Sequence, residues 1–180
     1  MALKTQSELD KLSNDELVSY FDSLPVETFR TNFKSKTKTR YFIAKYGKIF
    51  TREIKGANLF FSAVIAQSSM ESGFGKSNVC LNANNFGGVR WASTMNNTYF
   101  KSGSNKWAKY DTPEKGIIAY INVLKSDRYA NARANSKSPE DFILAVAKNG
   151  YDNGNPSACL KLCKDKINYT RSLIPIGKIS

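Results

Sequence analysis

Apolar residues recur along this chain at intervals of three and four, the period of an amphipathic helix, with one polar, aromatic-rich interruption near the middle. Residues 40–50 carry Phe42, Ile43, Tyr46 and Ile49 on one helical face. Residues 57–71, ANLFFSAVIAQSSME, are apolar almost all round, so the pattern predicts a helix buried on most sides. Gly73 and Gly75 then end it. Next comes a loop rich in Asn and Gly, NANNFGG, leading to alternating positions around residues 89–91, Tyr99 and residues 107–110. That alternation predicts two or three short antiparallel strands, with turns near Asn96-Asn97 and residues 102–105.

Helix starts are written locally. Ser13-Asn14-Asp15-Glu16 is a capping box, with Leu12 and Leu17 placed as its hydrophobic staple, and it predicts a short helix to about Phe21 that stops near Pro25. Thr112-Pro113, Ser138-Pro139 and Asn155-Pro156 each place an N-cap residue before a proline at the first helical position. Their apolar faces run through Ile117, Tyr120, Ile121 and Leu124, then Phe142, Ile143 and Val146, then Leu160, Cys163 and Ile167. Gly150 closes the second of the three. The expected class is α+β, mainly α, with a small sheet inserted midway. A length of 180 residues without linker or repeat predicts one domain, residues 1–180, in which 1–39 are an N-terminal helical extension and 40–170 the core.

Composition narrows the chemistry. Histidine is absent, which removes the commonest metal ligand and the usual base of a Ser or Cys nucleophile. No metal and no cofactor are expected. Cys80, Cys159 and Cys163 lack CxxC spacing and are odd in number, so they read as buried thiols and not as a disulfide frame or zinc site. No run of about 18 apolar residues predicts a membrane span, and MALKTQSELDKLSN lacks the apolar core of a secretory signal. A net charge of +12 and a pI near 9.6 imply attraction to a polyanion without choosing among nucleic acid, anionic membrane and cell envelope. The basic residues are scattered and no nucleic-acid motif with interleaved aromatics is present, so nucleic acid is not the expected partner.

Glu71 is the candidate with chemistry. It ends a buried apolar helix, where the negative end of the helix dipole and partial desolvation both oppose ionisation. A carboxylic acid kept protonated beside a groove is what protonation of a glycosidic oxygen demands. Position alone leaves a plainer role equally open: a Glu paired with Lys76 or accepting hydrogen bonds from the Gly-rich turn.

The run Gln67-Ser68-Ser69-Met70-Glu71-Ser72-Gly73-Phe74-Gly75-Lys76-Ser77, followed by Asn84-Asn85-Phe86-Gly87-Gly88, then Tyr110-Asp111 and later Gly150-Tyr151, resembles the glucosaminidase family of bacterial cell-wall hydrolases, which includes autolysin and flagellar peptidoglycan-hydrolase domains. The resemblance spans residues 40–167. It implies a lysozyme-like fold, a helical lobe and a small antiparallel hairpin lobe flanking a groove. It also implies a peptidoglycan glycan strand as substrate, cut on the reducing side of N-acetylglucosamine. Carried over, Glu71 takes the catalytic acid position and Tyr151 that of the tyrosine facing it. Asn85, Phe86 and Gly87 would line the floor, with Tyr110 and Asp111 also at the groove. Trp91 and Trp107 offer flat faces for pyranose stacking, although strand aromatics more often cover a core.

Many relatives place a second carboxylate in the hairpin, and between Glu71 and Asp111 this chain has no Asp or Glu. Three mechanisms then stay open: inversion with Asp111 or Asp152 activating water, assistance by the substrate's own 2-acetamido group, and lytic transglycosylation on the muramic acid side. Asp111, which precedes Thr112-Pro113, is expected to cap the next helix. A non-catalytic basic module that binds the wall or nucleic acid is the alternative of another class. A monomer without membrane insertion is expected, delivered to the wall by a partner, as in phage lysis, or carried on a virion.

Overall fold

The computed structural model describes residues 3–151, 155–174 and 177–179. The chain runs α1 (Gln6–Asp10), α2 (Asn14–Ser23), α3 (Val26–Asn32), α4 (Ser35–Ile54), β1 (Leu59–Phe60), α5 (Phe61–Glu71), α6 (Asn78–Ala83), β2 (Tyr99–Ser102) and β3 (Asn105–Ala108). It continues through α7 (Pro113–Lys125), a 3-10 turn (Asp127–Tyr129), α8 (Ala130–Asn135), α9 (Pro139–Lys148), α10 (Pro156–Leu173) and β4 (Lys178–Ile179). The mainly helical α+β class is as expected.

The centre of the fold is α5. Every residue from Phe61 to Ser69 is buried, and the helix packs against α4, α9 and α10. Its all-round apolarity predicted that station. Its start differs: residues 57–60 are not helical, because Gly56 and Asn58 take left-handed φ values of 73° and 56° and turn the chain. Leu59 and Phe60 instead pair antiparallel with Ile179 and Lys178. A buried apolar run satisfies its backbone equally well as strand, and only the distant partner decides between the two.

Helix α4 is longer than its apolar stripe. The basic stretch before residue 40 joins it from Ser35, with Thr39 buried and its hydroxyl bonded back to the Ser35 carbonyl. Arg40, which follows that stretch, reaches the carbonyls of Leu9 and Leu12 and ties down the N-terminal helices. Those helices form a cluster of Leu9, Leu17, Phe21, Leu24 and Phe29 on Tyr41 of α4. Phe21 and Phe29 meet edge to face at 5.3 Å.

The predicted starts hold. Ser13 and Glu16 form a reciprocal capping box, and Thr112, Ser138 and Asn155 each accept backbone N–H bonds at the head of α7, α9 and α10. The N-cap of α7 is therefore Thr112 and not Asp111, whose carboxylate lies 2.5 Å from the Lys115 ammonium. The hairpin pairs Tyr99 with Ala108 and Ser102 with Asn105. The third strand is reduced to one bridge, Arg90 to Trp107. All three cysteines are buried thiols outside any disulfide. No helix among the described residues is long and apolar enough to cross a membrane.

Candidate active site

Glu71 is the last residue of α5, and the chain leaves it through left-handed turns at Gly73, Phe74 and Gly75. Serines hold this exit. The Ser72 hydroxyl donates to the Ser68 carbonyl at 2.7 Å and accepts from the Gly75 amide at 3.0 Å. Lys76 points away from Glu71: its ammonium is 2.9 Å from Asp22 of α2, and the Arg30 guanidinium donates to its carbonyl at 2.8 Å. The pairing of Glu71 with Lys76 is thereby replaced by a pairing with the N-terminal helices.

The Asn-Asn-Phe-Gly-Gly run crosses in front of this helix end. The Ser68 hydroxyl donates to the Phe86 carbonyl at 2.9 Å, fastening the run to α5. Asn85 is 1% exposed; its amide donates to the carbonyls of Val89 and Ala108, and its oxygen accepts the Val89 N–H. Phe86 is buried against Tyr46 at 4.8 Å. Both therefore stand behind the groove and aim the two glycines into it. A Cβ on Gly88, whose φ is 60°, would sit 2.8 Å from Glu71 Oε2, and one on Gly87 would sit 2.3 Å from the Tyr120 ring. Only glycine lets the backbone pass this close to the carboxylate and the ring.

Tyr151 comes to the same place from the end of α9. Its hydroxyl donates to the Gly87 carbonyl at 2.7 Å. Burial, then the neighbouring Tyr120 hydroxyl and the Glu71 carboxylate, push the Tyr151 hydroxyl well above the usual tyrosine range. It stays a neutral donor at any physiological pH.

These groups line a cleft of about 400 Å³ between the helical body and the hairpin, with Glu71, Gly87, Gly88, Trp107 and Tyr151 in its wall. Of the residues proposed from sequence, it brings together Glu71, Tyr151, Gly87 and Trp107. Tyr110 and Asp111 line an adjoining, mostly apolar depression of about 600 Å³ that shares Val89 and Val123 with the cleft. Trp91 lies outside both linings; its indole donates to the Asn97 carbonyl at 2.8 Å and its ring packs on Tyr99 at 5.0 Å, so it braces the loop before β2. Asp152 lies outside the described residues.

Seven wall residues were not named as site residues from the sequence: Gly88, Val89, Arg90, Val123, Arg128, Tyr129 and Gly150. Gly88 ends the Asn-Asn-Phe-Gly-Gly run and Gly150 precedes Tyr151, so both were within reach of the sequence pattern. Arg128 and Tyr129 follow α7 in a 3-10 turn that carries no motif. No cluster of three or more potential metal ligands occurs among the described residues.

The fold has solved counterparts. It matches a type VI secretion system effector–immunity complex from Pseudomonas protegens at TM-score 0.59 and 18% identity, over 77% of this chain and 95% of that one. The glycoside hydrolase domain of Salmonella typhimurium FlgJ matches at TM-score 0.59 and 20% identity, over 75% and 89% of the two chains. The catalytic domain of the autolysin Auto from Listeria monocytogenes matches at TM-score 0.50 and 18% identity, over 94% and 99%. No curated protein matches. A helical body with a small antiparallel hairpin is the lysozyme-like fold expected from the sequence. Residues 47–178 match the glucosaminidase model, described as mannosyl-glycoprotein endo-beta-N-acetylglucosaminidase, and the chain belongs to that family.

Proposed function

We propose that this protein hydrolyses peptidoglycan, cutting the β-1,4 bond on the reducing side of N-acetylglucosamine with Glu71 as general acid. The observation that carries the reading is that Glu71, at the end of the buried α5, is the one carboxylate lining the cleft among the described residues. Family membership and the likeness to the FlgJ glycoside hydrolase domain and an autolysin catalytic domain support the substrate class.

A leaving sugar needs a proton on its oxygen as the bond breaks, and Glu71 is placed to supply it. One enzymic carboxylate suffices if the 2-acetamido oxygen of N-acetylglucosamine attacks its own anomeric carbon. In that step the Glu71 proton passes to the leaving oxygen, and water later opens the cyclic intermediate with Glu71 taking a proton back. Tyr151, neutral and facing the same space, steadies the acetamido group. Inversion through Asp111 is disfavoured by its ion pair with Lys115 and its place in the adjoining depression. The N-terminal helices belong to the same catalytic unit on this reading, because they hold the loop that follows Glu71.

Digestion of purified peptidoglycan, borohydride reduction and mass spectrometry of the fragments test the assignment. Reduced N-acetylglucosamine ends are expected. Anhydromuramic products would move the enzyme to the lytic transglycosylases, and reduced muramic ends to the lysozymes.

A further inference from the structure

Two guanidiniums share the cleft with Glu71: Arg90 from the hairpin side and Arg128 from the 3-10 turn after α7. Neither takes part in an ion pair among the described residues. Both are nevertheless held in place. Arg90 lies over the Trp107 ring at 3.9 Å, which occupies its flat face and leaves its N–H edge for another partner. Arg128 donates through Nε to the Asn149 carbonyl at 2.5 Å and lies 5.5 Å from the Tyr129 ring. Its terminal nitrogen fills the space beside Gly150, where a Cβ would come within 2.2 Å of it. That glycine, at φ 80°, makes the guanidinium's seat.

Two fixed cations are an odd furnishing for a glycosidase cleft taken alone. The transition state gains positive charge at the anomeric carbon, and like charges nearby oppose it. The opposition falls away when the substrate itself brings an anion that engages the cations. Peptidoglycan differs from neutral β-1,4 N-acetylglucosamine polymers in this respect, since alternate sugars carry an O-3 lactyl arm that ends in a carboxylate or in a carboxylate-bearing stem peptide.

We propose that Arg90 and Arg128 form a carboxylate-recognition pair that selects glycan strands by the acidic substituent on the sugar beside the scissile bond. The pair rests on the peptidoglycan reading above and adds to it the chemical feature recognised. The planar fork of arginine suits a carboxylate in two-point contact, and a charge-assisted contact of this kind changes affinity by roughly 10- to 100-fold.

Four substrates test it: strands stripped of peptides, which expose the lactyl carboxylate; uncross-linked strands that keep their stem peptides; and each of these after carbodiimide coupling to methylamine, which neutralises the carboxylates. The wild type is expected to cut neutralised strands roughly 10-fold or more slowly, chiefly through KM, and whichever strand type loses more identifies the source of the carboxylate. Arg90→Gln and Arg128→Gln should each shrink that difference, and the double variant should abolish it. Binding of native and neutralised strands to Glu71→Gln gives the same comparison without turnover. Equal cutting of native and neutralised strands, or variants that keep the full discrimination, overturns the pair and leaves the hydrolase reading standing. Failure to cut any of the strands overturns both.

Discussion

Two carboxylates flank residues 72–77, and the fold uses them in opposite ways. Asp22, on α2, accepts hydrogen bonds from Lys45 at 2.6 Å, Tyr41 at 2.7 Å and Lys76 at 2.9 Å. Burial alone would push its pKa up, but the hydrogen bonds from Lys45, Tyr41 and Lys76 outweigh it and hold the carboxyl below the usual range. It is a fixed anion inside a clamp. Glu71, at the head of the same loop, lies in the wall of a cleft against the backbone of Gly88. Asp22, surrounded by donors, stabilises structure; in the function proposed above, Glu71 at its helix terminus transfers the proton. The clamp holds the loop that follows Glu71, because Lys76 and its carbonyl are gripped by Asp22 and Arg30, which lie before the residues matched to the family.

The contrast breaks first at Glu71. Glu71→Gln keeps the side chain's shape and removes the transferable proton, so release of soluble fragments from peptidoglycan should fall about 1,000-fold while the melting midpoint stays put. Undiminished release would take Glu71 out of the mechanism. Gly88→Ala should come next. Its Cβ would crowd Glu71 Oε2, and a displacement near 1 Å costs on the order of 100-fold in turnover. Forcing alanine into a left-handed backbone should also cost about 1–2 kcal/mol in denaturant unfolding.

Asp22→Asn sharpens the other side. It should leave the turnover of folded protein within about threefold and lower stability by about 1–2 kcal/mol, a figure reduced for the carboxylate's partial exposure. The pH dependence has a definite sign. A carboxyl whose folded pKa is depressed stabilises fully above its unfolded value, here near 3.8, and loses that contribution as pH falls through the lower folded value. The gap in melting midpoint between wild type and variant should therefore be full at pH 6 and close as pH falls below 3.8 and through the lower folded value. A gap that widens in acid would contradict the clamp. The smallest effect belongs to Asp111→Asn: this exposed carboxylate pairs with Lys115 one helical turn away, and exposed pairs contribute little. Activity within twofold and an unmoved melting midpoint are expected, whereas a large loss of activity would restore an inverting mechanism.

Much of the scaffold was readable from short-range signals. The caps at Ser13, Thr112, Ser138 and Asn155 satisfy backbone N–H groups within three residues, so the same chemistry acts in the unfolded chain and in the fold. Helix α1 has an equivalent box at Thr5 and Glu8, hidden because its polar sequence buries only Leu9. The strand at Leu59 was not readable, since its partner lies over a hundred residues away. Glu71 could be located at a helix end by the glycines that follow it, and the motif around it pointed to the family.

The sequence by itself determined the helical class, the helix starts, the burial of α5 and the station of Glu71 at its terminus, because these follow from periodicity and contacts between near neighbours. Only the tertiary structure decided that Asn85 and Phe86 stand behind the cleft, that Lys76 turns to Asp22, and that Arg90 and Arg128 enter the wall beside Glu71. Those outcomes depend on which distant segment each side chain meets when the core closes, and no local pattern records it.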